Sequence, residues 1–270
     1  MFNQNCHHAI GVFDSGLGGL TVVKELMRQL PSEDIVYYGD TARVPYGMKS
    51  KESIVRFSKE NTRALLKHKV KMVVVACNSS SSYALTTLKR NFSLPIVGVI
   101  HAGAKKAVQM TRNRRIGVMA TSATINSQEY QKTIHWYDAS VKVFNQACPL
   151  LVPLVEEGWL EKEVTLKIVA EYLSSLKKAK IDTLILGCTH YPLLKEIIKK
   201  VMGKGVVLID SAQEIALEVK QILAETQIMN TLKRKPKYQF LVTDRAQAFE
   251  RVAKNFLGYP IKMKVESNHV

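Results

Sequence analysis

The chain has 270 residues, 46% of them hydrophobic, and a net charge of +16 from 39 basic and 23 acidic side chains. That composition supports a packed globular core and excludes a polar, disordered chain. No run of about 18 apolar residues is present to span a bilayer, and Met1 to His8 lacks a basic start leading into an apolar stretch, so no secretory leader is expected. Four cysteines are too few for a disulfide framework, which makes a cytoplasmic protein with free thiols the expectation. The charge is uneven: between Thr41 and Arg115, 16 Lys or Arg stand against Glu52 and Glu60, a net +14. Such a field attracts anions, from small dicarboxylates to nucleic acid. No finger, zipper or aromatic-rich RNA module accompanies it.

In chain order, apolar runs predict buried strands at Ala9 to Phe13, Ile35 to Tyr38, Met72 to Ala76, Ile96 to Val99, Ile116 to Met119, Val141 to Phe144, Thr183 to Leu186, Val206 to Ile209 and Gln239 to Val242. Helical stretches separate them. Glu52 to Lys67 reads as a surface helix with an interrupted apolar stripe, and Glu161 to Lys177 and Glu214 to Leu223 as cleaner ones. The alternation predicts an α/β protein with mostly parallel sheets.

An echo runs through the chain. Ile10-Gly11-Val12-Phe13 lies 67 positions before Cys77, and Ile116-Gly117-Val118-Met119 lies 72 before Cys188. Each cysteine follows an apolar strand and leads into small polar residues, as Ala76-Cys77-Asn78-Ser79 and Gly187-Cys188-Thr189-His190. This predicts two pseudo-symmetric α/β halves, residues 1–99 with 211–270 and residues 100–210, with one cysteine from each at a cleft between them.

Ligands of open parallel sheets bind beyond the carboxyl ends of the strands, where both cysteines fall. A helix N-terminus there favours a thiolate. Two opposed thiols can remove a proton from one side of a carbon and return one on the other, which a single base cannot do. Cys6, in a polar N-terminal stretch, and Cys148, before Pro149, lack this setting and read as structural. Asp14-Ser15-Gly16-Leu17-Gly18-Gly19 is not a dinucleotide fingerprint, because Thr21 stands where the third glycine belongs. Its glycines are expected to supply unusual dihedrals and close backbone approach. Asp14 is either a helix cap or a group that takes a proton or holds an ammonium. In Val44-Pro45-Tyr46-Gly47 a turn presents N–H groups to a carboxylate. His190 sits two residues after Cys188, and Glu156 lies by an apolar stretch where a solvated face is the simpler reading. No grouping has metal spacing, so no metal is expected.

Taken together, Asp14-Ser15-Gly16 with Gly18-Gly19-Leu20-Thr21, Gly39-Asp40-Thr41 with Pro45-Tyr46-Gly47, Ala76-Cys77-Asn78, Cys148-Pro149-Leu150 and Leu186-Gly187-Cys188-Thr189-His190-Tyr191-Pro192 resemble the glutamate racemases from about Ile10 to Phe256. The resemblance implies a cofactor-independent isomerase that interconverts L- and D-glutamate for peptidoglycan. It implies Cys77 and Cys188 as acid/base thiols, Cys77 acting on D-glutamate and Cys188 on L-glutamate. Asp14 would assist Cys77, and His190, with Glu156, would assist Cys188. Ser15, Tyr46, Gly47, Asn78, Ser79 and Thr189 would bind substrate. Ser79 stands where the family usually has Thr, keeping the hydroxyl and losing the methyl. The nearest rival is an aspartate racemase, which tends to carry Glu in place of His190. A different class of rival, DNA gyrase binding, draws on the basic stretch 41–115, and the assembly expected is a homodimer.

Overall fold

The computed structural model describes residues 4–232 and 234–266, so the first three residues of the N-terminal stretch lie outside it. Ten strands alternate with helices: β1 (Ala9–Asp14), β2 (Ile35–Gly39), β3 (Val70–Val75), β4 (Ile96–Gly98), β5 (Arg115–Ala120), β6 (Lys142–Ala147), β7 (Thr183–Gly187), β8 (Val207–Asp210), β9 (Tyr238–Val242) and β10 (Lys264–Val265). They form a six-stranded sheet in the order β10-β9-β2-β1-β3-β4 and a four-stranded sheet in the order β6-β5-β7-β8. Every pairing is parallel. The protein is therefore α/β, with β2-β1-β3-β4 repeated in topology by β6-β5-β7-β8.

Burial explains which runs were legible. β2, β3 and β7 are buried along their whole length, so they show as apolar runs, Ile35 to Tyr38, Met72 to Val75 and Leu184 to Leu186. β6 and β8 are edge strands and half-exposed; β6 extends beyond the apolar run Val141 to Phe144 through Asn145 and Gln146, polar side chains that an edge strand keeps in water. The helix Lys51–Lys67 buries Ile54, Phe57, Ala64 and Leu65, and completes its buried face with Ser58, Asn61 and Thr62. The Ser58 and Thr62 hydroxyls donate to the carbonyls of Ile54 and Ser58 one turn back. The break in its apolar stripe is thus a polar face turned inward.

The chain passes from the first sheet to the second through the helix Val99–Met110, which begins as β4 ends, and returns after the helix Ser211–Glu225. Helix Ser211–Glu225 packs between Leu20–Gln29 and Val99–Met110. The largest apolar cluster joins Val12 and Met72 of the first sheet to Met119, Leu184 and Leu186 of the second. A buried ion pair fastens the returning segment: Lys71 Nζ lies 2.5 Å from Glu33 and donates to the carbonyls of Cys6 and Ile228, while Glu33 accepts from the Asn230 N–H. Every polar atom of that pair has a partner, the condition under which buried charge is tolerated. Cys6 is consequently buried under this contact, despite its polar sequence setting. Among the described residues no helix is long and apolar enough to cross a membrane.

Candidate active site

In each sheet the chain steps outward from one central strand and then returns to its other side, β1 to β2 and back to β3, β5 to β6 and back to β7. The crevice at such a switch point is where open α/β sheets bind ligands. At the end of β1 and beyond β1 and β3 come Asp14, Ser15 and Cys77; beyond β5 and β7 come Thr121, Cys188, Thr189 and His190. One narrow cavity joins both groups, lined by Ser15, Tyr46, Gly47, Cys77, Asn78 and Ser79 from one side and Thr121, Cys188, Thr189 and His190 from the other.

The two thiols differ in their surroundings. Cys77 is the N-cap of the helix Asn78–Tyr83, with its Sγ 3.7 Å from Ser15 Oγ. Burial first, then the charge of Asp14, pushes its thiol up to about 11, while the Ser80 N–H and the Ser15 and Ser80 hydroxyls pull the other way. Cys188 Sγ lies 3.8 Å from His190 Nδ1, and His190 Nε2 lies 3.0 Å from Glu156 Oε1. Burial would depress His190, but its bonds to Cys188 and Glu156 and their charges raise it to about 10. An imidazolium thus stands beside Cys188, and a carboxylate acts on Cys77. Phe256, from the helix Ala246–Leu257, meets the His190 ring edge to face at 5.5 Å and fixes its plane.

Asp14 is fully buried and lies between the halves. Its Oδ2 accepts from the Gly16 N–H and its Oδ1 from the Thr189 hydroxyl. Burial raises its carboxyl, a shift partly offset by the His190 charge and by nearby N–H groups. It caps no helix: the next one, Leu20–Gln29, begins after Gly19. The glycines of this loop correct one expectation. Gly16, Gly18 and Gly19 are not among the positive-φ residues; their role is space alone. A Cβ on Gly18 would lie 2.5 Å from His190 Nδ1, so glycine lets the β1 loop touch the Cys188 loop. Gly47 does the same against Thr121, whose Cβ would lie 2.6 Å away.

The Pro45-Tyr46-Gly47 turn is held from behind. The Tyr46 hydroxyl bonds to the buried Asp40 and accepts from Asn61 Nδ2 at 3.1 Å, and Arg43 bonds to Asp40 and Glu60 while lying over Phe57. Asn61 is one of the polar residues that interrupt the helix stripe. Asn78 Oδ1 accepts from the Tyr130 hydroxyl at 2.7 Å, which leaves the amide N–H groups of Asn78 for the cavity. Ser79 Oγ meets Thr121 and Thr124 at 3.0 and 3.3 Å.

The sequence pattern of the Asp/Glu/Hydantoin racemase family matches residues 10–219. The chain belongs to that family. A glutamate racemase of Geobacter metallireducens is 48% identical over 250 residues, 93% of each chain. The glutamate racemase isoform of Bacillus anthracis superposes with a TM-score of 0.94 at 42% identity, over 97% of this chain and 98% of that one. A Francisella tularensis glutamate racemase, solved with D-glutamate, gives 0.91 at 38%, over the same shares.

All the family residues named from the sequence come together, Glu156 included: it reaches His190 instead of lying on a solvated face. Thr121, Thr124 and Tyr130 were missed. The echo held a signal for the first of them, since Met119-Ala120-Thr121 follows the second Ile-Gly-Val run as Phe13-Asp14-Ser15 follows the first. Cys148 is buried in the apolar core with its thiol pushed up to about 12 by burial and by Cys188.

Proposed function

We propose that the protein is a cofactor-independent glutamate racemase that supplies D-glutamate for peptidoglycan. The observation that carries this reading is a pair of thiols from two switch points on one cavity, Cys77 beside Asp14 and Cys188 beside His190. Inversion needs one thiolate and one thiol. Burial with Asp14 favours the thiol at Cys77, and Cys188, beside the His190–Glu156 pair, is its thiolate partner. In that form Cys188 takes the α-proton of L-glutamate and Cys77 delivers its own to the opposite face; the reversed form acts on D-glutamate. Ser15, Tyr46, Gly47, Asn78, Ser79 and Thr189 then hold the two carboxylates and the ammonium, in a cavity small enough to exclude water as carbanion character develops.

The lobes in this reading are 1–99 with 211–270 and 100–210, in a homodimer of the cytoplasm, a state checked by light scattering. The basic stretch 41–115 carries the accompanying reading of gyrase association, which salt-dependent binding to gyrase would support. The main test is turnover of D-glutamate and D-aspartate in heavy water. L-glutamate carrying deuterium at Cα is expected, with D-aspartate slow. Preference for aspartate would overturn the substrate, and product that retains the original proton throughout would overturn the two-thiol route.

A further inference from the structure

Four consecutive serines, Ser79 to Ser82, follow Asn78 on the helix that starts at Cys77. Three of the hydroxyls are committed. Ser79 bonds to Thr121 and Thr124, Ser81 donates to the Val75 carbonyl at 2.9 Å and accepts from the Val99 N–H, and Ser82 donates to the Ser79 carbonyl at 2.9 Å. Ser80 differs. It is fully buried, and its Oγ has no hydrogen-bond partner among the described residues. An unpaired buried hydroxyl is a standing penalty that alanine, the better helix former, would remove.

Ser80 is the third residue after the N-cap, the position whose N–H can reach a capping side chain, although no side-chain cap bond is formed here. Here that side chain is the Cys77 sulfur, and both the N–H and the hydroxyl of Ser80 favour its ionised form against burial and Asp14. We propose that Ser80 is a positioning residue whose hydroxyl is reserved for the Cys77 sulfur, donating to it as a thiolate and standing unpartnered when the sulfur holds its proton. Ser80 keeps its own proton throughout. The S–H bond of Cys77 forms as the Cα–H bond of the substrate breaks, and breaks as a new Cα–H bond forms on delivery. The inference deepens the racemase reading and rests on it for its effect on turnover. With burial and Asp14 holding the Cys77 proton, Ser80 is the counterweight that keeps the thiolate of Cys77 accessible. The other titratable groups around Cys77 are Asp14 after β1, Tyr37 of β2 and Tyr46 of the turn, both phenols held neutral by burial, with Cys188 and His190 across the cavity.

The test is Ser80→Ala and Ser80→Thr in the full chain, alkylated with iodoacetamide across pH, with the Cys77 and Cys188 peptides quantified by mass spectrometry. In Ser80→Ala the Cys77 midpoint is expected to rise by about one pH unit with Cys188 unmoved, while Tm holds or increases; Ser80→Thr restores the midpoint. The enantiomers are equal in free energy, so kcat/KM falls by one factor in both directions, up to about tenfold. An unmoved Cys77 midpoint in Ser80→Ala would overturn the proposal, as would a fall in Tm without a change in that midpoint. The alkylation arm reads the sulfur even in a protein that turns over no glutamate, so the two readings fail separately.

Discussion

Cys77 and Cys188 follow equivalent strands of two sheets with one topology, yet their neighbours are opposite in charge. Cys77 faces Asp14 and hydroxyls; Cys188 faces His190, which Glu156 holds from behind. A symmetric pair of thiols would share one proton evenly and titrate as a coupled system. Here the repeated topology supplies two equivalent positions, and the residues beyond the strands give them unlike neighbours.

Removing either thiol breaks the comparison outright. Cys77→Ser and Cys188→Ser are each expected to lower racemisation by about 10³-fold or more, since general acid–base steps contribute on that order, with circular dichroism unchanged. Full activity in either variant would end the two-thiol assignment.

Exchanging the charged partners sharpens it. Asp14→Asn removes a negative neighbour and is expected to lower the Cys77 alkylation midpoint, whereas His190→Asn removes a positive one and raises that of Cys188. Each shift should be about one pH unit, and shifts of the same sign would show that the two environments are not opposed.

The smallest effect is on stability. His190 has its ring raised to about 10 in the fold against about 6.5 unfolded. Its contribution is therefore fully present below about pH 6.5 and is lost as pH rises through about 10. Tm is expected to fall across that window in the wild type and to fall less in His190→Asn; equal slopes would remove His190 as the cause.

Much of the site was legible because parallel strands buried on both faces leave long apolar runs whose ends are visible in sequence. Asp14, Cys77 and Cys188 each stand at or just beyond such an end. Tyr130 and Thr124 were not legible, because each works by reaching across from another helix, with nothing nearby in sequence to mark it, and Thr121 was marked only by its place after the second Ile-Gly-Val run. Glu156 is the intermediate case, a carboxylate whose partner lies 34 residues on.

The chain's own pattern determined the α/β alternation, the echo of two strand-and-cysteine units and the identity of the paired thiols, since those depend on periodicity and local chemistry. Tertiary structure alone decided which groups oppose each sulfur, why Gly18 and Gly47 must lack a side chain, and that one serine of four has no acceptor. Those properties arise from distances between segments far apart in the chain, and the burial that sets their electrostatics exists only once both sheets share a core.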